Sequence, residues 1–223
     1  MRQRTSLFSA IALLLAAVAL APAAFAAEHH SAQDRVDDSA KIVNQMKQDP
    51  NLMQLLEQAR GIFIIPHYGK AGFIVGGQGG GGIVMIKHDG QWSDPAFYSI
   101  GGGSVGFQAG ASGGSIAMLL MTPKAVHHFE DKSGKWSLSA NAGLNLVTYN
   151  GNVKASTAGD VVLWANTRGL YGGLTAGVTD ITPDNHMDHE YYHQEVSSRD
   201  ILGGKTTVHN RAVADLQGSL QFR

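Results

Sequence analysis

The chain has 223 residues, 43% of them hydrophobic and 16% charged, and a formal net charge of −1 at pH 7. This composition supports one buried core and excludes an intrinsically disordered chain, and the weak charge argues against a general polyanion binder, so we expect no nucleic-acid partner. No cysteine is present, which excludes disulfides, thiol catalysis, cysteine-ligated zinc and the acylated cysteine of a lipoprotein.

Residues 1–26 have the three parts of a secretory signal peptide. Arg2 and Arg4 give a positive start, an apolar run over residues 7–20 follows, and a small-x-small sequence ends at Ala26. The apolar run is too short to span a membrane. We therefore expect cleavage after Ala26 and a mature protein that is periplasmic or secreted, with no transmembrane segment.

The mature chain, residues 27–223, is expected to form a single domain that begins with helices within residues 34–60. Helical spacing relates the apolar residues Val36, Ala40, Val43 and Met46, and a second short set follows a break at residues 49–51: Leu52, Leu55, Leu56 and Ala59. The exposed positions carry both signs of charge, for example Asp37 and Lys41. This mixture favours a solvated helix surface over a basic membrane-docking face.

A β-rich core is predicted over residues 61–180. Short apolar runs at 61–65, 73–75 and 83–86 alternate with glycine clusters, which predicts strands joined by turns in which glycine permits positive φ. Thr122 followed by Pro123 predicts the start of a short helix over 124–130. Later strands are predicted over residues 136–146, 161–164 and 170–178, and a helical region over 186–222. The expected fold is α+β, with a mostly antiparallel, closed or nearly closed, barrel-like sheet flanked by helices at both ends.

Two glycine motifs fit the dinucleotide-binding fingerprint, one starting at Gly77 and one at Gly101. That fingerprint binds phosphate through the helix that follows it. Here predicted strands follow both motifs, so nucleotide binding is not expected. No catalytic triad or nucleophile elbow is evident either.

Histidines suggest two metal-binding hypotheses. His189, Glu190 and His193 form the HExxH pattern, in which two histidines on one helix face hold zinc and the glutamate polarises its water, and His186 lies one turn earlier. No metzincin extension follows His193. Separately, cleavage after Ala26 would expose Ala27-Glu28-His29, a sequence able to bind Cu(II) or Ni(II) through its amine, amide nitrogens and imidazole.

Several motifs resemble the SYLF lipid-binding domain family. The first is A-R-G-I-x-I-x-P from Ala59, followed by K-A-G-F-x-x-G-G from Lys70 and G-x-W-S-x-P-A-F from Gly90. Further along, M-T-x-x-A-V-x-x-F from Met121 and R-G-L-Y-G-G from Arg168 are similar to family motifs. Tyr191 and Tyr192 match the family block N-x-x-Y-Y-G, in which His193 replaces Gly. The resemblance extends from about residue 52 to residue 220.

The resemblance implies a non-enzymatic protein that needs no cofactor and binds phospholipids, especially anionic head groups; some eukaryotic members also bind actin. For an exported chain, the transferable expectation is an anionic phospholipid or membrane surface, with an envelope protein as another possible partner. The matched cations Arg60, Lys70 and Arg168 are the expected head-group contacts. Phe73, with Trp92 and Phe97, either lines an apolar lipid groove or packs in the core.

The alternative is a metal-binding envelope protein that holds zinc or copper through His186, His189 and His193, with a zincin-type hydrolase as a remote option. The family pattern has glycine where this chain has His193, so the two hypotheses make different demands on that residue.

Overall fold

The computed structural model describes residues 30–72, 75–105, 110–131, 134–138, 143–166, 178–205 and 211–222. The chain divides into Met1–His30 and Ser31–Arg223, and the architecture described here is that of the second unit. Its described helices are α1 (Ala32–Met46), α2 (Pro50–Gln58), α3 (Pro123–Glu130), α4 (Asn185–Tyr192), α5 (Ser198–Leu202) and α6 (Arg211–Ser219). Among the described residues, no helix has both the length and the apolar character needed to cross a membrane.

The described strands form one sheet. They are β1 (Gly61–Gly72), β2 (Val75–His88), β3 (Gln91–Trp92), β4 (Ala96–Val105), β5 (Gly110–Leu120), β6 (Trp136–Ser137), β7 (Leu146–Thr148), β8 (Val161–Ala165) and β9 (Val178–Pro183). The order is β6-β9-β4-β2-β1-β5-β8-β7, with β3 paired to β2. Every pairing is antiparallel except that of β7 with β8. The sheet curls into a half-barrel, and helices flank it at both ends of the chain. The predicted α+β class is therefore confirmed.

The helices begin where side chains satisfy their first backbone N–H groups. Ser31 and Asp34 form a reciprocal capping box on α1, and Asp49 accepts hydrogen bonds from the first turn of α2. Thr122 caps α3, accepting from the Ala125 N–H, and Pro123 occupies the first turn. The start of α3 predicted from these residues is therefore confirmed.

The glycine clusters lie inside strands, so the prediction that they form turns is wrong. Residues 76–82 belong to β2 and residues 101–103 to β4, and the glycines of both runs pair across strands, as Gly77 does with Gly103. Positive φ occurs elsewhere, for example at Gly90 in the β2–β3 turn. Antiparallel pairing satisfies the backbone of these glycines, and β1 and β2 are therefore much longer than their apolar runs indicated.

Two of these glycines differ sharply in their surroundings. A Cβ atom built on Gly82 would clash with the carbonyl oxygen of Ile64 and lie 2.9 Å from its carbonyl carbon. A Cβ atom on Gly103 would meet none of the described residues within 4 Å. The β1 bulge between Ile64 and Gly69 lies next to Gly82, so glycine there permits a close approach of two backbones.

The core lies against both faces of the sheet. Phe63, Tyr98 and Phe129 meet edge to face with ring centroids 5.3–6.3 Å apart, which joins β1, β4 and α3. The Tyr98 hydroxyl donates to the Phe129 carbonyl at 3.1 Å. Phe97 is fully buried and its ring lies 5.3 Å from that of Tyr191, so Phe97 packs in the core.

Candidate functional site

Only one of the four predicted lipid-binding side chains lies in the described part of the chain. Arg60 is exposed, immediately before β1. The backbone of Lys70 pairs with Gln78 and Ser112 near the far end of the same strand, while its side chain is outside the described residues, as are Phe73 and Arg168. Extended strand geometry separates Arg60 and Lys70 by roughly 30 Å, so they cannot share one head group.

The structure places Lys87 beside Arg60. The Lys87 backbone N–H donates to the Arg60 carbonyl at 2.7 Å, and the Arg60 N–H donates to Leu120 at 2.8 Å. Because Gly61 pairs with Ile86, Arg60 and Lys87 stand opposite each other at the end of the β1–β2 ladder. Neither the composition nor the family motifs singled out Lys87; only the strand register brings it here.

The Lys87 side chain contacts two neighbouring groups. Its Nζ donates to the Glu57 carbonyl oxygen at 3.0 Å and lies 4.7 Å from the centre of the Trp92 ring. Burial lowers the pKa of Lys87, and the nearby charge of Glu57 partly opposes this shift. The indole Nε1 of Trp92 in turn donates to the Leu220 carbonyl at 3.2 Å, so Trp92 is a buried support for Lys87.

These residues line an open pocket of about 410 Å³, called here the Arg60 pocket. Its lining residues are Glu57, Gln58, Ala59, Arg60, Lys87, Asp89 and Gly90. The end of α2 supplies one wall, the first residue before β1 the second, and the β2–β3 turn the third. Two family motifs, the one at Ala59-Arg60 and the one beginning at Gly90, therefore meet in one place.

The β2–β3 turn is a two-residue hairpin. Asp89 and Gly90 have φ values of 49° and 84°, and His88 pairs with Gln91 across them. Positive φ at both central residues is what Asp-Gly turns favour, because this geometry follows the twist of the strands. The Asp-Gly pair in the sequence is a recognisable hairpin signal, and the turn places Asp89 on the pocket wall.

Within the described residues, the charges of the Arg60 pocket are not paired with one another. No ion pair within 4.0 Å involves Arg60, Lys87, Glu57 or Asp89, and the Arg60 guanidinium makes no side-chain hydrogen bond there. A guanidinium in such a position is able to bind a phosphate or carboxylate group.

Within the HExxH segment, Glu190 makes a structural hydrogen bond and His193 lies at the end of the helix. The Glu190 carboxylate accepts a hydrogen bond from the Ala32 N–H at 3.2 Å, which ties α4 to the first turn of α1. His193 lies after the last residue of α4, in the left-handed conformation with φ 53° and ψ 29°. The helix that would present both histidines on one face therefore stops before His193.

The three histidines do not converge. His186, His189 and His193 are all exposed, and among the described residues their ring nitrogens do not form a group of ligand atoms within 4.8 Å of one another. The Nδ1 atom of His189 lies 3.5 Å from exposed Glu195. The metal-binding alternative therefore has no preorganised ligand set here. Residues 27–29, the other metal hypothesis, lie outside the described residues.

Substitution of His193 tests whether this residue has a structural role at the end of α4. In the family pattern glycine stands at this position, and the left-handed conformation explains why, since glycine adopts it without strain. We expect His193→Gly to raise the free energy of unfolding by about 1 kcal/mol. His189→Gly, an exposed position inside α4, should lower it by about 1 kcal/mol. Urea denaturation of both variants measures the difference; destabilisation by His193→Gly would contradict the structural role.

A buried carboxylate, that of Asp188, directly precedes the HExxH segment. Asp188 is fully buried and accepts hydrogen bonds from the Phe97 N–H at 2.9 Å and from the Ser198 hydroxyl at 2.6 Å. It thereby holds α4 and α5 to β4. The pKa of Asp188 is raised to about 6, chiefly by burial and to a lesser extent by the negative charge of Asp184, while the two hydrogen bonds oppose the rise.

Comparisons with known proteins agree with the motifs. A family model described as "Ysc84: Las17-binding protein actin regulator" matches residues 101–221. The SH3 domain-containing YSC84-like protein 1 of Homo sapiens is 31% identical over 160 residues, which is 68% of this chain and 45% of that protein. Protein YSC84 of Saccharomyces cerevisiae is 24% identical over 161 residues, covering 69% of this chain and 34% of that protein.

The chain thus spans less than half the length of the curated relatives it matches, and no solved structure matches it. The family model covers more than half of the chain, and the earlier motifs at Ala59, Lys70 and Gly90 extend the similarity toward the N-terminus. The chain therefore belongs to the Ysc84 (SYLF) family.

Proposed function

We propose that this protein is a non-enzymatic binding domain that engages phospholipid head groups at an anionic membrane surface. The observation that carries the proposal is the Arg60 pocket, where a guanidinium with no partner among the described residues stands beside a lysine in an open cleft. Phosphate is a preferred ligand of such paired cations. The family resemblance to lipid-binding domains supports the same ligand class.

The proposal includes a location outside the cytoplasm, in the periplasm or secreted, because residues 1–26 have the pattern of a cleaved signal peptide. Lys70 and Arg168 remain proposed as further contacts. Since Lys70 lies roughly 30 Å from Arg60 along β1, a membrane surface rather than a single head group is the ligand that both residues could contact. An envelope protein partner stays a second proposal.

Co-sedimentation with vesicles tests the proposed function. Purified protein should sediment with vesicles that contain phosphatidylglycerol and remain in solution with vesicles of phosphatidylcholine alone. Because the attraction is electrostatic, recovery with the anionic vesicles should fall as salt rises from about 50 to 500 mM. Equal recovery with the two vesicle types would refute binding to anionic surfaces. Loss of secreted or periplasmic material after deletion of residues 2–20 tests the location.

A further inference from the structure

The Arg60 pocket carries two charges of each sign. Arg60 and Lys87 supply the cations, and Glu57 and Asp89 supply the carboxylates. In the described structure none of these four groups forms an ion pair within 4.0 Å. A purely anionic ligand would gain from the two cations and be repelled by the two carboxylates. The pocket therefore favours a ligand that itself carries both signs of charge.

The two cations come from adjacent positions at one end of the β1–β2 ladder. Arg60 and Lys87 face each other across the β1–β2 ladder, joined by the backbone hydrogen bond of 2.7 Å. Like charges directly opposite each other destabilise a pair of strands. Lys87 donates one hydrogen bond, of the three its ammonium group can make, to the Glu57 carbonyl oxygen. The Arg60 guanidinium donates none to the described residues. A phosphate group between the two side chains would relieve their repulsion.

The end of α2 contributes negative charge to the pocket, and the Lys87 ammonium already contacts one of its carbonyl oxygens, that of Glu57. Glu57 and Gln58 are the last residues of that helix, whose final turn contains no basic residue. The last carbonyl groups of a helix carry partial negative charge and favour a cation. Asp89 adds a carboxylate from the β2–β3 turn. An ammonium group bound here would meet acceptors from both walls.

We propose that the Arg60 pocket binds an aminoalkyl phosphate, the chemistry of an ethanolamine phospholipid head group, with the phosphate between Arg60 and Lys87 and the primary ammonium toward Glu57 and Asp89. The inference rests on the proposed function and specifies its ligand. A volume of about 410 Å³ is sufficient for such a head group. A primary ammonium can donate hydrogen bonds to carboxylates, whereas the quaternary ammonium of choline cannot.

The test compares soluble ligands on the purified full chain by ¹H–¹⁵N NMR titration. O-phosphoethanolamine should bind at least about fivefold more tightly than inorganic phosphate or phosphocholine, with shifts at the Arg60, Lys87 and Asp89 amides. Glu57→Gln with Asp89→Asn should reduce that preference to less than about twofold and leave phosphate binding in place. Arg60→Ala should weaken all three ligands, whereas Arg211→Ala, a change at a 95% exposed arginine on α6, should weaken none.

A vesicle experiment distinguishes a lipid head group from a free phosphate ester. Replacing part of the phosphatidylcholine by phosphatidylethanolamine, at constant phosphatidylglycerol, should increase the sedimented fraction. If anionic vesicles bind but phosphoethanolamine shows no preference over phosphate, the ligand assignment is wrong and the proposed function stands. If soluble phosphoethanolamine binds and the lipid replacement has no effect, the pocket binds a free ester and the lipid assignment is overturned.

Discussion

Gly82→Ala is expected to lower the free energy of unfolding by at least about 3 kcal/mol, because the new methyl group would clash with the backbone of β1. A Cβ atom there would overlap the Ile64 carbonyl oxygen and lie 3.0 Å from the Ile65 Cα. Backbone atoms in a paired strand cannot move aside as a flexible side chain can. The sheet would have to change its register or its curl to accept alanine.

Gly103→Ala is the matched control for this substitution. Gly103 also lies in a paired glycine run, but a Cβ atom there would have no neighbour within 4 Å in the part of the chain that the structure describes. We expect the free energy of unfolding to stay the same or rise by up to about 1 kcal/mol, since alanine restricts the unfolded chain. Urea denaturation measures both variants. Similar losses for Gly82→Ala and Gly103→Ala would contradict the described packing of β1 on β2.

Asp188→Asn is expected to change the pH dependence of stability. The pKa of Asp188 is about 6 in the folded protein, above its ordinary value of 3.8. The folded state therefore binds the proton more tightly than the unfolded state. The stabilisation from this proton is fully present below about pH 4 and is lost as the pH rises through about 6. Relative to Asp188→Asn, the wild-type protein should gain about 2 kcal/mol between pH 7.5 and pH 4.5.

Urea denaturation at intervals of half a pH unit measures this difference. Asp215→Asn is the control, since Asp215 is 69% exposed and should leave the slope unchanged. Asp38, Asp49, Asp160 and Asp200 have lowered pKa values, so their contributions are lost only as the pH falls below about 4, outside this window. A slope that is the same for wild type and Asp188→Asn would show that Asp188 is not the buried acid described here.

Local signals in the sequence predicted the helices and the fold class well. Thr122 with Pro123 marks the start of α3 because capping and fixed φ act within one turn, and the apolar spacing of residues 36–46 follows directly from helix geometry. The same local reasoning failed for residues 76–82. Glycine permits turns, but here antiparallel partners on both sides of β2 keep the glycines extended, and that pairing is not a local property.

In the candidate site, too, local sequence signals identified some residues and only the fold revealed the others. Arg60 could be identified because a family motif contains it, whereas Lys87 and Glu57 reach it only through strand register and the position at which α2 ends. The residues of the HExxH pattern have structural contacts in this protein: Tyr191 and Tyr192 are buried, Glu190 accepts a hydrogen bond from α1, and His193 follows the last residue of α4. Spacing alone could not show that the helix stops one residue too early for a zinc site.

The most direct test of the central claim is the affinity of Arg60→Ala for vesicles that contain phosphatidylglycerol, measured beside Arg211→Ala. Both variants lose one arginine, so their net charges are equal, and Arg211 is 95% exposed on α6. If the Arg60 pocket binds the head group, Arg60→Ala should lower the vesicle affinity at least about tenfold and Arg211→Ala by less than about twofold. Equal affinities for the two variants would contradict the assignment of lipid binding to this pocket.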